Sequence, residues 1–313
     1  SLLYDEEGNL TDDALWHYQY DAENRLVRMT TRSAADLAGL GWGSTPPASE
    51  VTFQYDYLGR RVEKIARQNG AVTFSRRFVY EGWNLIAEFE LANGAPKVRR
   101  SYAWGLDLAG SFAATGGVGA LLLETVHDGS TRTHYHVAAD GQGNVTALLD
   151  ANGNPAAAYE YDPFGQPWRA EGALAGGNSA AADQPGDNPF RYSSKYLDRE
   201  TGLYYYGHRY YDPNLGRFLN RDPLGEAGGE NLYAFVGNSP VNGWDYLGLT
   251  PPGPNEAGDN PRPIIPTNPI GLTPDMAAED GSYASRNRVD IRDNAAFPEQ
   301  WGTDRSSRGV DGL

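Results

Sequence analysis

What most limits the fold of this chain is a phrase that recurs along it. An alternating run ends in Tyr-Asp, two or three turn residues follow, then Gly or Asn, then a second alternating run. It reads "YQYDAENRLVRM" from Tyr18, "FQYDYLGRRVEKI" from Phe53, "FVYEGWNLIAEF" from Phe78 and "YEYDPFGQPWRA" from Tyr159. Looser copies are "YDEEGNL" from Tyr4 and "ADGQGNVTALLD" from Ala139. Side chains on a strand alternate between faces, so period-two runs predict strands with one buried face. An Asp carboxylate accepts hydrogen bonds from amides two residues on, and Gly or Asn takes the left-handed position the turn needs. Each copy therefore predicts a β-hairpin.

One hairpin cannot bury its own apolar face, so consecutive copies must pair into a continuous sheet. The spacing from Tyr20 to Tyr55 to Tyr80 is irregular, and insertions such as "AGLGWGSTPPASE" (38–50) account for some of it. Helix is expected only as short turns. The 20 Tyr and 38 Gly among 313 residues suit this all-β reading, rings for pleated faces and glycine for turns.

A net charge of −15 argues against a nucleic-acid-binding surface for the chain as a whole. With no cysteine, disulfides, thiolate zinc sites and thiol catalysis are excluded. No apolar run approaches the roughly eighteen residues of a membrane helix. The chain opens on "SLLYDEEGNL", as if inside the pattern, and is expected to be a piece of something longer.

Its character changes after "GWDYLGL" (243–249), where the proline-rich "TPPGPNEAGDNPRPIIPTNP" begins. Residues 250–313 hold few large apolar side chains and are expected to form a linker and a largely disordered peptide. They contain neither His nor Cys, and no nuclease, deaminase or ADP-ribosyltransferase constellation.

The Tyr-Asp-x-x-Gly-Arg hairpins resemble the YD repeats of the RHS family, which includes bacterial polymorphic toxins, the C components of insecticidal toxin complexes and the animal teneurins. The block "NPFRYSSKYLDRETGLYYYGHRYYDPNLGRFLNRDPLGE" (188–226) with "NLYAFVGNSPVNGWDYLGL" (231–249) is similar to the RHS-associated core domain, and "YAWGLDLAGSFAATGGVGALLLET" (102–125) to the segment preceding it. The resemblance covers 1–249. It implies a spiralling β-sheet that forms part of a hollow shell over 1–187, a core domain with autoprotease function over 188–249, and a variable C-terminal peptide over 250–313. It also implies an aspartyl-type self-cleavage between Leu249 and Thr250, with Asp222 and Asp245 as the dyad and Arg209 as the orienting cation. The chain departs from the family's common pattern at Tyr246, where many members have Pro.

Two carboxylates can hydrolyse an amide when one is ionised and takes a proton from water while the other is protonated and polarises the carbonyl. Without the resemblance, Asp212-Pro and Asp222-Pro read as turn starters, like Asp162-Pro. The competing reading is then a non-enzymatic scaffold, or a carbohydrate-binding or interaction protein, with Tyr and Trp rings free to stack on sugars.

Two further signals are weak. His134 and His136 ("THYH") share a strand face, with no third ligand for a metal. "GGVGAL" (116–121) lacks the third glycine of a dinucleotide loop, Leu122 standing there, and is expected to be a turn. No cofactor is expected. The expected partners are the chain's own C-terminal peptide, the rest of a longer shell, and a delivery component. The resemblance further implies a secreted or envelope-associated bacterial protein.

Overall fold

The computed structural model describes residues 2–32, 48–92, 95–112, 115–172 and 188–249. The chain is all-β. Fourteen strands, from β1 (Leu3–Tyr4) to β14 (Pro167–Glu171), pair in strict sequence order into one antiparallel sheet that does not close on itself. The core block adds a four-stranded sheet, β15 (Tyr196–Asp198), β16 (Leu203–Tyr205), β17 (Tyr210–Asp212) and β18 (Arg217–Phe218). Helix among the described residues is limited to 3-10 turns at Tyr192–Ser194, Gly225–Gly228 and Val236–Asn238. Among the described residues no helix is long and apolar enough to cross a membrane.

The repeated turn is built as its residues require. Asp56 Oδ1 accepts the amides of Leu58 at 3.0 Å and Arg60 at 2.9 Å, with Gly59 at φ +79°. Asp21, Asp140, Asp150 and Asp162 hold their turns with the same pair of amides. Tyr55 and Tyr161, before Asp56 and Asp162, and Tyr80, before Glu81, reach back to an earlier hairpin. Tyr55 donates to the Leu26 carbonyl, Tyr80 to that of Arg61 and Tyr161 to that of Val145. Arg25 and Arg60, paired with Asp21 and Asp56, lie over the rings of Tyr55 and Tyr80 at 5.2 and 5.5 Å. The phrase thus closes its own turn and stitches it to the next.

A second regularity is absent from the sequence pattern. In these hairpins the return strand carries a bulge close to its start, at Thr11, Val27, Val62, Ile86, Thr146, Ala156 and Trp168. An extra residue resets which face the following side chains take. At the turn exit Leu10, Leu26, Leu85 and Val145 are buried, whereas Pro155 and Pro167 at the same position near the sheet's last edge are exposed. At the same position β6 (Arg61–Gln68) places Arg61, which is fully buried.

The inner face of the large sheet packs against the core block. Leu26, Met29, Val51, Phe53, Phe78 and Tyr102 meet Phe190, Tyr196, Tyr205 and Tyr210 in one apolar cluster. Charges are buried in this interface. Asp198 accepts from Arg61 Nη1 at 2.5 Å and from Lys64 Nζ at 2.8 Å. The Arg61 guanidinium lies within 6 Å of five rings, those of Phe53, Phe78, Tyr196, Tyr205 and Tyr210. A smaller cluster of Tyr192, Tyr204, Tyr206, Tyr211, Phe218 and Phe235 fills the core block itself.

Most tyrosines are therefore structural, and sugar stacking finds no support. The most exposed rings, Tyr57 and Trp168, sit on a hairpin turn and on the edge strand β14. "GGVGAL" is a turn between β9 (Ala95–Trp104) and β10 (Leu121–Asp128), with Gly116, Gly117 and Gly119 all at positive φ. His134 and His136 are exposed on β11 (Thr131–Ala139), and among the described residues no cluster of three metal-binding side chains forms.

Candidate active site

Arg209, Asp222 and Asp245 come together in the core block, all buried. Arg209 immediately precedes β17, and its guanidinium lies 3.7 Å from the centroid of the Phe218 ring. Its Nη2 donates to Asp222 Oδ2 at 2.7 Å and stands 3.8 Å from Asp245 Oδ2. Its Nη1 donates to the Leu232 carbonyl at 3.0 Å, and its Nε donates to the Gly248 carbonyl. One planar cation, carrying its donors in a fixed fork, thus ties both carboxylates to the backbone just ahead of Leu249.

Each aspartate is held by a local turn. Asp222 Oδ1 accepts the Leu224 amide at 2.8 Å, and its own amide donates to the Leu232 carbonyl at 2.8 Å. Gly228 lies against it so closely that a Cβ there would stand 2.7 Å from Oδ2. Asp245 begins the turn Tyr246–Leu249, in which the Leu249 amide donates to the Tyr246 carbonyl at 2.9 Å. Two consecutive residues of that turn are left-handed, Leu247 at φ +57° and Gly248 at φ +77°. Such a conformation disfavours a side chain with a Cβ, so Leu247 stores backbone strain beside the expected cleavage point. Tyr246, at the position of the family's proline, pairs with Leu249 across the turn.

Burial pushes the Asp245 carboxyl above the usual carboxylate range, and the Asp222 charge adds to the rise. Arg209, Lys195 and the Gly248 amide pull against that rise. Burial also pushes His208, whose ring lies 4.7 Å from that of Trp83, down to about 4 with help from Arg209, so it is neutral at physiological pH. Two groups of this environment carry no sequence signal, Lys195 and Gly228. A single Lys in "RYSSKY" reads as solvated, and Gly228 as one more turn glycine. Of the two residues flanking the expected cut, Leu249 is buried, while Thr250 lies outside the described residues.

Relatives were found by sequence and by structure, although no protein-family model matches the chain. The tRNA3(Ser)-specific nuclease WapA of Bacillus spizizenii is 33% identical over 245 residues, covering 77% of this chain and 9% of that protein. The double-stranded DNA deaminase toxin A of Burkholderia cenocepacia is 32% identical over 260 residues, covering 79% of this chain and 16% of that protein. Toxin protein Tse5 of Pseudomonas aeruginosa is 31% identical over 270 residues, covering 80% of this chain and 19% of that protein. The chain belongs to the RHS-repeat family of polymorphic-toxin proteins. It spans less than a fifth of the length of these RHS relatives.

The RHS fold is matched in solved structures as well. The crystal structure of TcdB2-TccC3-Cdc42 superposes with a TM-score of 0.58 at 24% identity, covering 79% of this chain and 11% of that one. The Tc holotoxin pore of Photorhabdus luminescens gives a TM-score of 0.53 at 23% identity, covering 83% of this chain and 11% of that one.

Proposed function

We propose that this chain is the terminal part of an RHS shell that cuts itself once, between Leu249 and Thr250, and thereby frees residues 250–313 from the shell. In this reading 1–187 is the shell sheet, 188–249 the processing core, and 250–313 the cargo. The observation that carries it is the reach of Arg209, which contacts Asp222, Asp245 and the Gly248 carbonyl at once.

The chemistry assigns unequal roles to the carboxylates. Asp222, hydrogen-bonded to Arg209, is the anion and takes a proton from a water molecule. Asp245, pushed up by burial, carries the proton and donates it toward the Leu249 carbonyl oxygen. The resulting tetrahedral carbon then expels the Thr250 nitrogen as Asp222 gives it the proton taken from water. One hydroxyl of that carbon returns a proton to Asp245, leaving a new carboxyl group on Leu249 and a new amine on Thr250. Because the bond is part of the turn that carries Asp245, its placement can supply about 7–11 kcal/mol of the barrier. A dyad acting once on its own chain needs no binding pocket for a free substrate.

The relatives support a carrier role. A tRNA nuclease, a double-stranded DNA deaminase and a third toxin all share most of this chain. One common portion beneath different named activities fits a shell better than an effector. Delivery through a longer shell or a secretion partner, and a secreted or envelope-associated location, belong to the same proposal.

Purification through tags at both ends tests it. The expected result is two polypeptides that part in denaturant, the larger ending at Leu249, and a single polypeptide for Asp222→Asn. A wild-type chain that remains whole would leave a scaffold with structural aspartates.

A further inference from the structure

Lys195 follows the 3-10 turn Tyr192–Ser194 and is 5% exposed. A buried ammonium is costly to desolvate, so its surroundings must compensate. Its Nζ donates to the Gly116 carbonyl at 2.8 Å and lies 5.4 Å from the Tyr206 ring centroid.

That carbonyl belongs to a loop in direct contact with the processing turn. A Cβ on Gly116 would stand 2.9 Å from the Leu247 side chain, so the glycine backbone rests directly on Leu247. The preceding residue anchors the same loop, the Ser194 hydroxyl accepting the Gly119 amide at 3.1 Å while donating to the Gly143 carbonyl at 2.8 Å. A cavity beside Lys195 is lined by Ser194, Gly116, Tyr206 and Leu247.

Two carboxylates act on the Lys195 charge, Asp245 and Asp107. The Asp107 oxygens already accept the amides of Ala109, Ser111 and Thr115. Asp245 in turn feels Arg209, Lys195 and Asp222, and it acts on the Tyr206 hydroxyl.

We propose that Lys195 is a positioning residue of the processing site, clamping the Gly116 loop onto the Tyr246–Leu249 turn and lending its charge to Asp245. This rests on the Asp222–Asp245 reading above. With the ammonium present, Asp245 is a stronger acid and gives its proton to the scissile carbonyl more readily. Burial pushes Lys195 down to about 8, so its charge is present at neutral pH and fades in mild alkali.

The test follows cleavage of pulse-labelled chain in cell-free translation across a pH series, with Lys195→Met and Lys195→Arg beside wild type. Lys195→Met is expected to slow cleavage at neutral pH by about tenfold, because Asp245 loses a neighbouring positive charge and becomes a weaker acid. Its alkaline limb should move to higher pH, because Asp245 then holds its proton longer. Lys195→Arg should restore both rate and limb.

Equal rates and limbs in all three chains would overturn the role of Lys195 and leave the dyad standing. Slow cleavage in both variants with unmoved limbs, or loss of native near-UV circular dichroism in Lys195→Met, would reduce Lys195 to a packing residue. An uncut wild type, indistinguishable from Asp222→Asn, would fail the dyad reading and this one with it.

Discussion

Replacing Asp198 by Asn should unlock the core block from the shell sheet. Asp198 is fully buried between two cations, Arg61 Nη1 at 2.5 Å and Lys64 Nζ at 2.8 Å. Lys64 retains Glu200 at 2.9 Å, but Arg61 has no other carboxylate in ion-pair contact among the described residues. Removing one partner of a buried pair leaves an uncompensated charge, at a cost of about 3–5 kcal/mol. The rings of Phe78 and Tyr205, 4.8 and 4.5 Å from the guanidinium, offset only part of it.

The bulge register supplies a control. Leu10, Leu26, Leu85 and Val145 occupy the position that Arg61 occupies in its own hairpin, so an aliphatic side chain fits there. Arg61→Leu combined with Asp198→Asn should therefore cost less than Asp198→Asn alone. Equilibrium urea unfolding of the purified chain, read by tryptophan fluorescence, gives both values. An Asp198→Asn loss below about 1 kcal/mol, the range of exposed ion pairs, would refute the reasoning. So would a double variant less stable than the single one.

Other expectations follow from buried groups. Burial pushes Glu124 up to about 7, although Arg100 Nε lies 3.0 Å away; the same guanidinium faces Glu88 through Nη1 at 3.8 Å. A carboxyl whose folded value is raised contributes stability at low pH that is lost as pH rises. That loss falls between the ordinary glutamate value of 4.5 and about 7. Glu124→Gln should flatten this slope and, in urea titrations above neutrality, recover about 3 kcal/mol; an unchanged slope would contradict it. Gly228→Ala would force a Cβ to within 2.7 Å of Asp222 Oδ2, so it should slow cleavage at least tenfold while leaving the unfolding midpoint near wild type. Gel analysis after expression checks the first outcome and urea titration the second. Asp56→Ala strips the Leu58 and Arg60 amides of their acceptor and should cost about 1–2 kcal/mol in the same titration.

Much of the fold is legible in the sequence because the YD turn is local. Asp56 and Gly59 specify their turn within five residues of each other, and period-two apolarity does the rest. The bulges are not legible, since the β-branched Thr11, Val27, Val62, Ile86 and Thr146 are residue types that also fill ordinary strand positions, and only pairing reveals them. Without the bulge, Arg61 and Lys64 read as residues on opposite faces of a strand, and neither as buried. The candidate site was reached through family resemblance, since spacing alone does not separate Asp222 from Asp212 or Asp162. What the structure adds is that the Arg209 guanidinium reaches both carboxylates and the turn. Lys195 is brought to the turn only by a long-range contact with Gly116, which no local pattern could reveal.

Intact mass of freshly purified protein in denaturant, with Asp222→Asn and Asp245→Asn beside it, tests the central claim most directly. The account predicts a wild-type break at Leu249–Thr250 that disappears in both variants. One uncut species in all three would contradict it, and the three buried residues would then be a structural ion cluster.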